Sequence, residues 1–202
     1  MLVRIYPENP NPREMSKALA MLKAGELIVY PTDTVYAIGC DALNVRAVEK
    51  ICALKGVNPQ KSNLSIICYD LSDISEYARV SNAAFKLLKR NLPGPFTFIL
   101  PTSNRLPKIY KSRKEVGIRV PDNSIARGLV EELGNPILTM SVRDEDEILE
   151  YSTDPELIHE KFGDKVALVI DGGYGGSEAS TVVDCKEDAF ETVRQGKGHL
   201  LL

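Results

Sequence analysis

Residues 30–41 read Tyr30-Pro31-Thr32-Asp33-Thr34-Val35-Tyr36-Ala37-Ile38-Gly39-Cys40-Asp41. The apolar run from Leu27 that leads into them is typical of a strand, Pro31 breaks it, and a second apolar stretch follows. Two hydroxyls, a carboxylate and a phenol are thus presented at a strand end, where a rigid sheet holds groups that a loop exposes. The same pattern also fits a polar turn between two strands, so this segment by itself favours neither interpretation.

The bulk properties are those of one globular domain spanning residues 1–202. The 202 residues are 44% hydrophobic and 26% charged, and the net charge of −3 gives no overall attraction to nucleic acid or membrane. No apolar run approaches the length of a membrane span, and the N-terminus is too short and too charged for a signal peptide. The four cysteines form no Cys-x-x-Cys pair, so we expect reduced thiols in a cytoplasmic protein and no metal site.

Apolar periodicity predicts helices that alternate with strands. Helices are expected from about Asn44 to Leu54, and where side chains can cap a first turn, at Asn11, Ser81 and either Asp122 or Asn123. Strands are expected at 27–30, 64–68, 96–100, 116–120, 137–140, 166–170, 181–183 and 190–193. Because the two types alternate over the first two thirds and strands crowd the end, the pattern favours an α/β domain with a mixed sheet.

A polar loop with two lysines follows the second helix and runs from Lys55 to Asn63. Lys55 falls at the C-terminal end of that helix, where a cation is favourable for structural reasons alone. The functional alternative is that Lys55 and Lys61 flank a loop that binds a phosphate chain.

Two further strands carry cations among apolar residues. Arg119 lies inside the strand Val116 to Val120 and needs a partner if it is buried, either a structural acid or a substrate carboxylate. No nearby acid is obviously dedicated to it, which favours the substrate. Ser141 and Arg143 end another strand, and five carboxylates follow directly, typical of a solvated loop or, less specifically, of a Mg²⁺ role: Asp144, Glu145, Asp146, Glu147 and Glu150.

The last third adds glycines, a hydroxyl and a cation. Residues 171–176 form a glycine-rich turn, but no Gly-Lys-Ser/Thr follows them, so a P-loop is excluded. Ser180 opens the next strand, and Arg194 lies beside late glycines.

Together these motifs resemble the YrdC/YciO family over nearly the whole chain, from about Leu27 to Gly196. The motif at residues 31–36 is followed, in the family's order, by Pro-Gly-Pro-Phe-Thr at 93–97, Gly-Ile-Arg-Val-Pro at 117–121 and Ser-Thr-Val-Val-Asp at 180–184. The Gly-Cys-Asp wording at 39–41 looks closest to the YciO branch. Because these motifs occur together and in order, a binding site becomes the favoured interpretation of residues 30–41.

The resemblance implies a single α/β domain with a YrdC/RibB-like fold: a twisted, open mixed sheet, flanked by helices, with a concave basic cavity. It implies an L-threonylcarbamoyladenylate synthase that joins L-threonine, bicarbonate or CO₂ and ATP and releases pyrophosphate, in the N6-threonylcarbamoyladenosine modification of tRNA. Mg²⁺ is expected with the nucleotide.

The resemblance also implies roles for individual residues. Thr34 and Ser180 are expected at threonine, with Arg119 on its carboxylate, while Thr32, Asp33 and Tyr36 shape that pocket. Ser141 is expected to face both substrates, and the nucleotide is assigned to Lys55, Lys61, Ser62, Arg143 and Arg194. Lys55, Arg119 and Ser141 are the expected catalytic residues.

The chain departs from the synthase branch at two positions. That branch carries Lys-x-Arg where this chain has Lys55-Gly56-Val57, and Ser-x-Asn where it has Ser141-Val142-Arg143. Either Arg143 replaces the cation lost at Val57, or the chemistry is weak, lost or different.

The alternative function is a double-stranded RNA- or tRNA-binding protein with weak or no synthase activity. The dense basic stretch that motivates it consists of Arg105, Lys108, Lys111, Arg113, Lys114 and Arg119. Its single aromatic residue, Tyr110, favours phosphate and shape contacts over base stacking.

Overall fold

A computed structural model describes residues 1–110, 112, 114–144 and 148–202. The strands are β1 (Leu2–Arg4), β2 (Ile28–Tyr30), β3 (Ala37–Asp41), β4 (Ser65–Ile67), β5 (Phe96–Pro101), β6 (Glu115–Arg119), β7 (Ile137–Ser141), β8 (Leu168–Asp171), β9 (Thr181–Asp184) and β10 (Glu191–Arg194). The α-helices are α1 (Pro12–Lys23), α2 (Val45–Leu54), α3 (Leu71–Tyr77), α4 (Asn82–Asn91), α5 (Ser124–Leu133), α6 (Glu150–Thr153) and α7 (Pro155–Phe162).

These ten strands form one open sheet in the order β1-β8-β2-β3-β7-β4-β6-β5-β9-β10. The sheet contains parallel pairs such as β4–β6 and β5–β9 and antiparallel pairs such as β3–β7 and β5–β6, so the predicted mixed α/β sheet is confirmed. None of the helices in the described ranges is long and apolar enough to cross a membrane.

Helices cover both faces of the sheet and create two apolar cores. Val29 belongs to the core that includes α2, α4 and α7, whereas Ile28 and Tyr30 belong to the core under α1 and α5. Successive residues of a strand point to opposite faces, so a strand buried on both sides reads as one continuous apolar run. This explains the unbroken apolar character of residues 27–30.

The predicted caps are confirmed at Asn11, Ser81 and Asn123, whose side chains accept hydrogen bonds from the first turn of their helices. Asn44 caps α2 in the same way. The four cysteines are buried free thiols. Sequence periodicity missed β1, α3, α6 and α7, because three to eight residues are too few for a repeating apolar pattern to stand out.

The α1–α5 layer covers only part of its face of the sheet. Ile67 and Ile137 pack in the core under these helices. Ser65 and Thr139 lie two residues away on the same strands, and therefore on the same face, but they line an open cavity instead. The fold thus leaves the middle of this face available for a ligand.

Gly39 is expected not to tolerate a side chain. A Cβ atom at this position would lie 2.6 Å from Cε1 of Tyr30 and 2.8 Å from Cγ2 of Ile137. Gly39→Ala should lower the free energy of unfolding by about 1–3 kcal/mol through overpacking, measured by urea denaturation. Gly128→Ala is the matched control, since its Cβ would meet only the mobile end of Met15 and should be neutral or stabilising by up to about 1 kcal/mol. Equal effects of the two substitutions would contradict the close packing at Gly39.

Candidate functional site

A cavity of about 670 Å³ lies on the uncovered part of the sheet. Its apolar wall includes Val57, Ile99, Met140, Val182 and Val193. Its polar lining consists of Thr34, Lys55, Ser62, Asn63, Ser65, Thr97, Arg119, Thr139, Ser141, Arg143, Asp144, Ser180 and Arg194. Among these described residues, four cations and one carboxylate line the cavity, so it suits a ligand with anionic groups.

The structure brings most of the predicted site residues together. Eight of them line this cavity: Thr34, Lys55, Ser62, Arg119, Ser141, Arg143, Ser180 and Arg194. The other four, Thr32, Asp33, Tyr36 and Lys61, do not belong to its lining. The eight lining residues come from loops and strand ends far apart in the chain, and the order of the strands in the sheet places them side by side.

The polar residues 32–34 form the turn between β2 and β3, so the turn interpretation and the site interpretation both apply. The hydroxyl of Thr32 donates to Val35 O at 2.7 Å and accepts from Thr34 N at 3.1 Å. Thr32 therefore shapes the turn from inside. This arrangement presents the Thr34 hydroxyl to the cavity, where it accepts a 3.0 Å hydrogen bond from Arg119.

Arg119 has a dedicated acid, contrary to the sequence-based argument that none was apparent. Its Nη2 lies 3.2 Å from Oδ1 of Asp33, and both side chains are only 8% exposed. Burial lowers the pKa of Arg119, and the charge of Asp33 opposes that shift. Its Nε–H is buried without a hydrogen-bond partner among the described residues, so the guanidinium keeps a donor available. The expected contact with a substrate carboxylate stays a prediction.

Tyr36 attaches the glycine-rich turn to the sheet instead of facing the cavity. Its hydroxyl donates to Gly173 O at 2.7 Å and accepts from Gly172 N at 2.9 Å. Burial raises the pKa of this phenol, so it remains protonated. A Cβ at Gly175 would lie 2.6 Å from the Tyr36 ring, which explains a glycine at that point of the turn.

Lys55 is held by the first residue of the acidic run. Its Nζ lies 2.6 Å from Oδ1 of Asp144, whose Oδ2 lies 3.2 Å from Nζ of Lys161. The hydrogen bond from Lys55 is the main cause of a lowered pKa at Asp144. The Lys55 side chain is 12% exposed and the Asp144 side chain is 57% exposed. Lys55, which was expected to bind phosphate, is therefore paired with a solvent-accessible carboxylate.

The two departures from the synthase branch face the same cavity. Val57 and Arg143 both line it, while Nη1 of Arg143 donates to Ser177 O at 2.9 Å. Arg143 is exposed and connects the end of β7 to the loop before β9. The hypothesis that it compensates for Val57 towards phosphate stays a prediction.

Ser180 and Arg194 are in direct contact, and both line the cavity. Oγ of Ser180 is 2.8 Å from Oγ1 of Thr97, and Arg194 donates to Ser180 O at 2.8 Å. β9 lies between β5 and β10, and this order places the three residues next to one another.

Sequence reasoning missed four polar lining residues: Asn63, Ser65, Thr97 and Thr139. It named Asp144 only for a solvated loop or a Mg²⁺ role, not as a partner of Lys55. Ser65, Thr97 and Thr139 lie within strands whose other residues are mostly apolar, so their sequence context indicates a strand and not a binding site. The signal that could have identified them is the one used for Arg119: a polar side chain inside a buried strand needs a partner.

The charged stretches are only partly described. Arg105, Lys108 and Lys114 are exposed, but the buried Arg119 is not part of any basic surface patch. Lys111 and Arg113, and the acidic residues Glu145, Asp146 and Glu147, lie outside the described residues. Glu150 begins α6 and does not line the cavity. RNA binding stays a prediction.

Comparison with known proteins gives a consistent relationship. The Sua5/YciO/YrdC family, which carries the description "telomere recombination", matches residues 20–196. An uncharacterized protein of Haemophilus influenzae is 43% identical, and uncharacterized protein YciO of Escherichia coli K12 is 41% identical; both alignments cover 96% of this chain and 94% of the relative. Threonylcarbamoyl-AMP synthase of Bacillus subtilis is 32% identical over 92% of this chain but 54% of its own length.

Solved structures agree with these relationships. The crystal structure of E. coli YciO has a TM-score of 0.91 at 39% identity and covers 98% of this chain and 97% of that one. The crystal structure of P. abyssi Sua5 complexed with L-threonine has a TM-score of 0.87 at 29% identity, covering 97% of this chain and 57% of that one. These likenesses confirm the predicted single α/β domain with a mixed open sheet.

Asp33→Asn should destabilise the fold strongly, because it leaves the guanidinium of Arg119 buried without its counter-charge. We expect a loss of about 3–5 kcal/mol in the free energy of unfolding, measured by urea denaturation. Glu26→Gln is the control, since it removes an ion pair whose side chains are 49% and 44% exposed and should cost less than about 1 kcal/mol. If both substitutions cost the same, the buried pair does not have the importance given to it here.

Asp144→Asn should strengthen anion binding in the cavity severalfold, because Lys55 loses its counter-ion. Sulfate is a suitable probe, since its charge is constant between pH 5 and 8, and calorimetry measures its affinity. The lowered pKa of Asp144 means that the Lys55–Asp144 bond is lost only as the pH falls through that lowered value. The difference between variant and wild type should therefore be constant over this pH range.

Asp154→Asn is the matched control for this experiment. It changes the net charge by the same amount at the cap of α7, away from the cavity lining. Sulfate affinities that are equal in wild type and both variants would show that Asp144 does not control access to Lys55.

Proposed function

This chain belongs to the Sua5/YciO/YrdC family, and from that membership we propose that it forms L-threonylcarbamoyladenylate from L-threonine, bicarbonate or CO₂ and ATP, releasing pyrophosphate. The product would serve the N6-threonylcarbamoyladenosine modification of tRNA. The observation that carries the proposal is the presence of Thr34, Arg119 and Ser180 in the same cavity as Lys55, Ser141 and Arg194. Relatives named threonylcarbamoyl-AMP synthase support it at the level of the family.

The threonine end of the site is proposed to be the wall formed by Thr34, Arg119 and Ser180. The unpartnered Nε–H of Arg119 is available to an acceptor such as a carboxylate. The hydroxyls of Thr34 and Ser180 are held by Arg119 and Thr97, respectively, so they are positioned before a ligand arrives. The L-threonine complex of P. abyssi Sua5 supports this substrate for the family.

The nucleotide end is proposed to be formed by Lys55, Ser141, Arg143 and Arg194, with Ser62 beside them. Transfer of the adenylyl group needs cations around the phosphates more than it needs a strong base. Lys55 must exchange its bond to Asp144 for one to phosphate, which costs binding energy that an unpaired lysine would not lose.

The proposed chemistry has two bond-forming steps. The neutral threonine amine attacks CO₂ and loses a proton to give a carbamate; when bicarbonate is the source, water is released. A carbamate oxygen then attacks the α-phosphate of ATP, the bond between the α- and β-phosphates breaks, and pyrophosphate leaves. A carbamate is short-lived in water, and a cavity that holds the reactants together favours the second step over loss of CO₂.

The described residues do not form a resident Mg²⁺ site. No group of three or more metal-binding side chains occurs among them, and Asp144, the one described acid that lines the cavity, has each of its oxygens bonded to a lysine. Mg²⁺ is therefore proposed only as a companion of the ATP phosphates, and no step depends on it here.

The proposal is tested by incubating the chain with labelled ATP, L-threonine and bicarbonate. We expect threonine-dependent release of pyrophosphate together with the adenylate product. Because Val57 replaces one phosphate-facing arginine, the rate should be on the order of 10²–10³ below that of a synthase-branch enzyme assayed alongside. Lys55→Met should reduce it further, whereas Lys50→Met, which alters an exposed pair outside the cavity, should not.

Two outcomes would contradict the proposal. Pyrophosphate release no faster than in a chain-free control, with the synthase-branch enzyme active in the same buffer, would exclude synthase activity. Release that is independent of threonine would indicate a different acceptor. Restoring Val57→Arg should raise the rate if the missing cation is the limiting defect.

A further inference from the structure

One row of residues across the sheet forms the floor of the cavity between two glycines. Thr139 pairs with Gly39 on one side and with Ser65 on the other, and Ser65 pairs with Gly117. A Cβ at Gly117 would lie 2.3 Å from Oγ of Ser65, so the missing side chain keeps that hydroxyl uncovered. Ser65 and Thr139 therefore lie side by side in this row, and both line the cavity.

The bare surface of Gly39 is where the ring of Tyr30 lies. Cε1 of Tyr30 is 2.6 Å from the position that a Cβ of Gly39 would take, and Tyr30 is fully buried. Its hydroxyl donates a hydrogen bond of 2.8 Å to Oγ1 of Thr139. Burial raises the pKa of this phenol far above its usual value, so it keeps the proton that it donates.

The hydroxyl of Thr139 therefore already accepts one hydrogen bond, from Tyr30. Thr139 is only 6% exposed and lines the cavity. Among the residues that the structure describes, no acceptor is paired with its own hydrogen. A buried donor without an acceptor costs free energy, so this hydrogen is available to a ligand.

A second buried donor lines the same cavity. The Nε–H of Arg119 is also without a partner among the described residues, and the charge of Arg119 is close enough to act on the phenol of Tyr30. Both donors line the same cavity, and a carboxylate or carbamate has two oxygens that can accept from them. A ligand with a single apolar or cationic group in this place would leave both unsatisfied.

We propose that Thr139 donates a hydrogen bond to a carboxylate or carbamate oxygen of the bound substrate, next to Arg119, and that Tyr30 is the positioning residue that sets the direction of this donor. This assignment rests on the proposed function for the identity of the substrate, L-threonine. Tyr30, the first residue of the segment 30–41, would then act on the ligand indirectly, through the hydroxyl of Thr139.

The test compares variants of the full chain that change single hydroxyls. Thr139→Val keeps the shape of the side chain and removes the donor, so L-threonine should bind about tenfold more weakly by calorimetry. Thr139→Ser keeps the hydroxyl and should bind within about threefold of wild type. Tyr30→Phe keeps the ring and should weaken binding about threefold. Urea denaturation of each variant verifies that the protein compared is folded.

The positioning of Thr139 by Tyr30 is tested by combining two substitutions. If Tyr30 acts only through Thr139, Tyr30→Phe should have no further effect on affinity in a Thr139→Val background. Full additivity of the two effects would overturn the positioning role, because a general structural role of Tyr30 would persist without the Thr139 hydroxyl. L-threonine affinity in Thr139→Val equal to wild type would overturn the donor role and leave the proposed function intact.

A wild-type chain that does not bind L-threonine would overturn the proposed function instead. The floor is then tested with bicarbonate, acetate and phosphate as probes in thermal-shift measurements. A larger shift in wild type than in Thr139→Val would support the donor for another anionic ligand. Equal shifts, or no shift in either protein, would overturn it.

Discussion

The buried guanidinium of Arg119, which lines the cavity, is the constraint on which the rest of the site depends. Arg119 stays in the middle of the sheet only because Asp33 supplies a counter-charge that is as deeply buried as Arg119 itself. The other oxygen of Asp33 accepts from Asp122 N at 3.0 Å, just before α5, and its backbone carbonyl accepts from Lys197 at 2.6 Å. One carboxylate residue therefore joins the turn after β2, the end of β6, the start of α5 and the C-terminal segment.

This pairing changes what Arg119 offers to a ligand. A guanidinium bound to a carboxylate no longer presents a full unbalanced charge, so its contribution to recognition shifts from charge to the direction of its remaining donors. The Nε–H of Arg119 and the hydroxyl of Thr139 are such donors, and both are fixed by buried partners before a ligand arrives. Preorganised donors of this kind lose little entropy on binding.

Much of this could be predicted from the sequence, for reasons that differ between elements. Caps such as Asn11 and unbroken apolar runs such as 27–30 are local signals, and the structure confirms both. Arg119 and Asp33 lie 86 positions apart in the sequence, and only the folded sheet brings them together. Thr139 and Ser65 were missed because one hydroxyl in a strand looks the same whether it faces a ligand or a core.

The two ends of the cavity differ in how firmly they are built. At one end the charges of Arg119 and Asp33 are both buried, so solvent and salt screen them little. At the other end Lys55 is held by Asp144, an exposed residue at the edge of the acidic loop, and such a bond is weak enough for a phosphate to replace. Both departures from the synthase branch, Val57 and Arg143, lie on this second side. Functional differences within the family are therefore expected where the structure holds its cations loosely, at Lys55 and Arg143, while the end formed by Arg119 and Asp33 keeps a geometry that tolerates little change.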